Sequence, residues 1–128
     1  MNTVSLRFHR LSILTALLFF VLAAVWMFIP EKALAGWGVG FNDAVGLVSR
    51  RAAAMYAGIG VMFWLVRNAP QSAGRYALVS GFVTACLIIA CLGIYELASG
   101  HANAGILIAV CIEIILSVAF IAVSRIKQ

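Results

Sequence analysis

Charged side chains are scarce in this chain. Asp, Glu, Lys and Arg make up 10% of its residues, where a soluble domain carries about 25%, so there is too little polar surface to cover a water-soluble fold. Acid is scarcer than base: four Asp and Glu stand against nine Lys and Arg, a net charge of +5. Cysteine occurs three times and proline twice. Cys86, Cys91 and Cys111 form no CxxC pair and have no histidine at metal-ligand spacing, which argues against a redox couple or a structural metal site. They read as small residues of apolar segments, and neither a metal nor a cofactor is expected. The basic residues sit at segment ends and form no stripe, so nucleic acid is not an expected partner.

Apolar residues fill the space that charge leaves. They make up 65% of the chain, and the mean hydropathy is +1.11. A helix needs about 20 predominantly apolar residues to cross the hydrocarbon core of a bilayer, about 30 Å at 1.5 Å per residue. Leu11 to Ile29, Tyr76 to Tyr95 and Ala104 to Val123 meet that length, with Glu113 the one charge among them. A fourth segment, Ala52 to Val66, is bounded by Arg50 and Arg51 before it and Arg67 after it. It spans only if those arginines lie at the interfaces or inside the bundle. The expectation is a single all-α domain over residues 1–128, an integral membrane four-helix bundle with helices at about 11–29, 50–67, 76–97 and 104–124.

Ala33-Leu34-Ala35 resembles a signal-peptidase site, but the run before it is longer than a usual signal core, so the first segment is expected to be retained as a span. Arg7, Arg10, Arg67, Arg75, Arg125 and Lys127 fall on one side of the bundle, and Lys32, Arg50 and Arg51 on the other. The richer side is cytoplasmic by the positive-inside rule, which puts both termini inside. The long outer connection, Pro30 to Ser49, mixes Gly36, Gly38 and Gly40 with Trp37 and Phe41, and suits the headgroup level. Trp26, Trp37 and Tyr95 would form the outer aromatic belt.

Helices in lipid gain nothing by packing leucine on leucine, so small and polar residues mark their contact faces. Gly46, Arg50, Ala53, Ala57, Gly60 and Trp64 make such a stripe, as do Ser80, Thr84, Cys91 and Tyr95, and Gly105, Ala109, Glu113 and Ser117. The three stripes are expected to face one another. Glu113 lies about 13 Å below the start of its segment, close to mid-membrane depth. A carboxyl there costs on the order of 3 kcal/mol and marks a functional site by default, in its uncharged form unless a cation is near. It is read as a proton or ligand site, as hydrogen-bonding glue between helices, or as a contact for assembly with another subunit. Arg50, Tyr56 and Tyr95 are the expected companions of Glu113. A second cluster, Asp43, Arg50, Arg51, Glu96 and His101, gathers at the outer mouth, either to recognise a head group or to close the bundle by ion pairs.

Trp26-Met27-Phe28-Ile29-Pro30, Arg50-Arg51-Ala52-Ala53, Gly58-Ile59-Gly60 and Trp64-Leu65-Val66-Arg67 resemble the DoxX-like group of small four-helix bacterial membrane proteins. The resemblance covers mainly the first half. It implies a bundle in the bacterial cytoplasmic (inner) membrane and, for the namesake, a subunit role beside a quinone-linked oxidoreductase. Small multidrug transporters also carry one membrane glutamate, but in the first helix, whereas Glu113 is in the last. The function expected is binding or transport of a small solute or proton around Glu113. The alternative is a non-catalytic accessory subunit of a membrane complex. An enzyme is the least supported class, because no nucleophile, metal set or redox pair is legible. Membrane lipids are expected partners, with a homo-oligomer or a complex subunit as further possibilities.

Overall fold

The computed structural model of the chain describes residues 3–125, with side chains from 6 to 124. It is helical and contains five helices: α1 (Thr3–Phe28), α2 (Pro30–Gly36), α3 (Asp43–Val66), α4 (Ala73–Ala98) and α5 (Ile106–Arg125). Lys127, counted in the orientation argument, lies outside the described residues, as does the side chain of Arg125.

Each boundary has a local cause. Ile29 leaves the helical region ahead of Pro30, whose ring cannot continue α1 but is suited to the first position of α2. Gly38 then takes a left-handed φ of 71°, which lets the N–H groups of Gly38 and Val39 donate back to Ala35 O and Leu34 O at 3.0 and 2.9 Å. Asn42 caps α3, its side chain accepting the Val45 N–H at 2.9 Å, and Ser72 caps α4 by accepting the Arg75 N–H at 3.2 Å. Gly100, with φ 79°, turns the chain out of α4.

Three helices are long and apolar enough to cross a membrane: Leu6–Phe28, Ala73–Ala98 and Ile106–Ser124. At 24 residues α3 has the length, about 36 Å. Asp43, Arg50 and Arg51 in its first half take its apolarity below that of the other three. The surface of the bundle is apolar all round, with Leu14 at 64%, Leu65 at 74%, Ile88 at 56% and Ile108 at 71% exposure, one from each long helix. A protein meant for water does not present such a surface, and one meant for lipid must.

The closest backbone packing is between α1 and α3 and between α4 and α5. Glycine permits it: a Cβ on Gly60 would meet the Phe20 ring at 2.7 Å, and one on Gly93 would meet Val110 at 2.7 Å. The two pairs are joined by an aromatic core. Phe63 of α3 packs edge-on against Phe82 of α4 at 4.7 Å, Phe120 of α5 lies 5.1 Å from Phe63 and 5.5 Å from Phe82, and Phe8 and Phe19 of α1 close the cluster. At the opposite end the loops tie the pairs together, because the Asn103 N–H donates to Trp37 O at 2.7 Å. Trp26 and Trp37 stack 5.2 Å apart nearby.

The short helix α2 is a departure from the expected four-helix count. It buries Pro30 and Leu34, so the Ala33-Leu34-Ala35 triplet is part of a packed helix. The ends also move. α1 begins at Thr3 rather than near 11 and α3 at Asp43 rather than near 50, because Arg7, Arg10 and Arg51 end an apolar run without ending a helix.

Candidate functional site

Glu113 lies seven residues into α5, about 10 Å from that helix's first residue. Its carboxyl is turned into the bundle, where Oε2 is buried and has no hydrogen-bond partner among the described residues. Tyr56 of α3 and Cys86 of α4 both lie within electrostatic reach of the carboxyl, and Ser117, one turn below it, approaches the Cys86 thiol. The Tyr56 ring is held by Phe19 of α1 at 5.6 Å. All four long helices therefore contribute to one mid-bundle cluster.

The hydroxyls in this region do not compensate the carboxyl. Ser117 Oγ donates to the Glu113 backbone carbonyl at 2.8 Å, and Thr15 Oγ1 donates to Leu11 O at 2.8 Å. Each is satisfied within its own helix, as serine and threonine commonly are. Among the described residues no Lys or Arg pairs with Glu113, and the one ion pair is that between His101 and Glu96. A buried polar atom without a partner costs about 1–3 kcal/mol, a cost that a proton on the carboxyl or a cation beside it would relieve.

Of the expected companions, Tyr56 is brought to Glu113, while Arg50 and Tyr95 are placed elsewhere. Arg50 is exposed, with Nη1 turned back toward Gly46, where an added Cβ would meet it at 3.2 Å. The buried line of α3 is Gly46, Ser49, Ala53, Gly60 and Phe63. The seam thus keeps Gly46, Ala53 and Gly60 of the expected stripe, takes Ser49 and Phe63 in place of Arg50 and Trp64, and leaves Ala57 half-buried. Tyr95 is 61% exposed, and Thr84 and Cys91 also face outward. The inward line of α4 is instead Val79, Phe82, Val83, Cys86, Ala90 and Gly93. Thr84 has no need of a neighbouring helix, since its hydroxyl donates to Ser80 O at 2.8 Å.

The outer cluster resolves into a pair and bystanders. His101 Nδ1 and Glu96 Oε2 are 2.7 Å apart on the surface, while Asp43 and Arg51 are exposed at the start and in the third turn of α3. Asp43 suits the positive end of the α3 dipole. The three cysteines are free thiols, and only Cys86 is in the core, with Cys91 and Cys111 exposed.

Two residues were not singled out by sequence reasoning. Cys86 was seen only as a small core residue. Arg75 was counted only as a topology signal, yet it is 4% exposed. The available clue was the Ser72 cap, which places Arg75 inside the helix and not in the loop. No family model, no curated relative and no solved structure matches this chain.

Proposed function

We propose that the chain is a four-span protein of a bacterial cytoplasmic membrane, with both termini on the cytoplasmic side, that binds or transports a proton or small cationic solute at Glu113. The observation that carries this reading is the buried, unpartnered Oε2 of Glu113 at the meeting point of all four long helices. Tyr56 lies within electrostatic reach of the same carboxyl, and an aromatic ring near a buried carboxyl suits an organic cation. For α3 as the fourth span, support comes from its outward residues Val48, Met55 and Leu65, at 65%, 71% and 74% exposure, which match the lipid-like surface of its neighbours. Arg50 and Arg51, near its start, extend to the interface as long cationic side chains do. Arg7, Arg10, Arg67 and Arg75 gather at one end of the bundle and support the orientation.

The test uses the purified protein in bilayer discs with tetraphenylphosphonium as the probe cation. Wild type should bind it with release of a proton. Glu113→Gln, close in shape but without charge, should lose about tenfold or more in affinity, the worth of one hydrogen-bonded charge, and all of the proton release. Equal binding and equal pH dependence in the two proteins would remove the proposal.

A second reading, the accessory subunit, has its own support. Tyr95 puts a phenol on the mostly apolar outward face of α4, and polar groups facing lipid mark helix contacts. The DoxX-like resemblance points the same way. Gentle detergent extraction should then recover a second protein in fixed proportion, and recovery of the chain alone would count against it.

A further inference from the structure

At the other end of α4 a different site is built around Arg75. Its guanidinium lies 3.5 Å over the Phe8 ring, and Nη1 donates to Ala69 O at 3.1 Å. Nη2 is buried with no partner among the described residues. A guanidinium stays charged in a protein, and a buried charge is stable only when paired and hydrogen-bonded. The ring and one carbonyl meet part of that need. Among the described residues no acid meets the rest: Glu31, Asp43 and Glu96 are at the opposite end. Glu113 is twelve residues, about 18 Å, up α5 from its last residue.

Arg75 forms the wall of a half-open cavity of about 190 Å³, together with Gln71, Ser72, Tyr76 and Ser124. The cavity sits at the N-terminus of a 26-residue helix, where the dipole also favours an anion. It adjoins, across the shared walls of Tyr76 and Ser124, a groove of about 370 Å³ that runs up the α4–α5 seam over Val79, Val83 and Ile121, with Ser80 and Thr84 at its side. A positive pocket beside a mostly apolar groove along the membrane-facing seam has the two-part shape of a lipid.

We infer that this cavity binds an anionic phospholipid, its phosphate oxygens taken by Arg75 and the surrounding hydroxyls and its acyl chain laid in the groove. The shared chemistry is a phosphate group, and the adjoining, mostly apolar groove selects the lipid over the free ion. The inference stands on Arg75 and is independent of Glu113.

The experiment is titration of the delipidated full chain, in mild detergent, with phosphatidylglycerol, with a diacylglycerol of the same chains, and with inorganic phosphate, followed by native mass spectrometry and thermal stability. Phosphatidylglycerol should bind and raise the melting temperature, and neither of the others should. Arg75→Gln should weaken phosphatidylglycerol binding about tenfold or more, as expected for a charged hydrogen bond. The exposed Ser124→Ala, which leaves the core untouched, should weaken it a few-fold and serves if Arg75→Gln does not fold. Equal binding of diacylglycerol, or unchanged affinity in the variants, would overturn the site. Equal stabilisation by inorganic phosphate would overturn its assignment to a lipid.

Discussion

Gly105→Ala is expected to lower stability by about 3 kcal/mol, the combined worth of an overpacked contact and a lost hydrogen bond. A Cβ at this position would run into the backbone carbonyl of Gly36, well inside contact distance, and would also crowd Asn103 Oδ1 at 2.9 Å. A flexible side chain could swing away from such a contact, but a carbonyl in the last turn of α2 moves only with its helix. The displacement would pull Asn103 from Trp37, the bond that ties the α4–α5 loop to the segment after α2. Heat or dodecyl sulfate unfolding in mild detergent, followed by helical circular dichroism, reads the effect. Gly58→Ala and Gly81→Ala, where an added Cβ has no neighbour within 4 Å, should change stability by less than about 0.5 kcal/mol.

Phe120→Ala should come next, at about 2–4 kcal/mol. Truncating a buried phenylalanine in a water-soluble protein costs about 3–5 kcal/mol, of which part is transfer from water and part the cavity left behind. In a membrane the transfer part falls away, because lipid is as apolar as the core, but the lost dispersion contacts remain. Phe120 is fully buried and touches Phe8, Phe63 and Phe82, one ring from each of the other long helices. Removing it opens the aromatic contact where the α1–α3 pair meets the α4–α5 pair. Phe28→Ala is the control, since that ring is 78% exposed at the end of α1 and should matter little.

Hydropathy carried the sequence reading where lipid exposure decides the outcome, and it failed where packing does. The runs in α1, α4 and α5 are apolar on every side, so their existence was plain while their inward faces were not. In α3 the spacing of Gly46, Ala53 and Gly60 fits two seams equally, one through Ser49, Tyr56 and Phe63 and the other through Arg50, Ala57 and Trp64. Small residues seven apart fix a line along the helix but leave the choice of flank to the partner. Phe63 settles it, because its ring completes the contact with Phe82 and Phe120. In α4 the hydroxyl of Thr84 suggested an inward face, yet a helix can satisfy such a group with its own carbonyl. The short α2 was announced only by Pro30 and Glu31, a start signal without the length that periodicity needs.

The candidate site was legible to the same degree. Glu113 stands out because one carboxyl in a run of apolar residues calls for a reason, whether as a proton site or as glue between helices, and Tyr56 lies within electrostatic reach of it. Cys86 and Ser117 carried no comparable signal, since a thiol and a hydroxyl are ordinary in a membrane helix. Arg75 was hidden by its own plausibility as a topology marker. Its burial depends on Phe8, which lies more than sixty residues away in sequence.

The claim on which the functional reading rests is that the Glu113 carboxyl is an interior group able to take up and release a proton. Infrared difference spectra of the protein in bilayers, recorded as pH is stepped, observe that carboxyl directly through its carbonyl stretch. Wild type should give a titrating carboxylic acid band that Glu113→Gln removes and that the probe cation diminishes. Identical spectra from wild type and Glu113→Gln would contradict it.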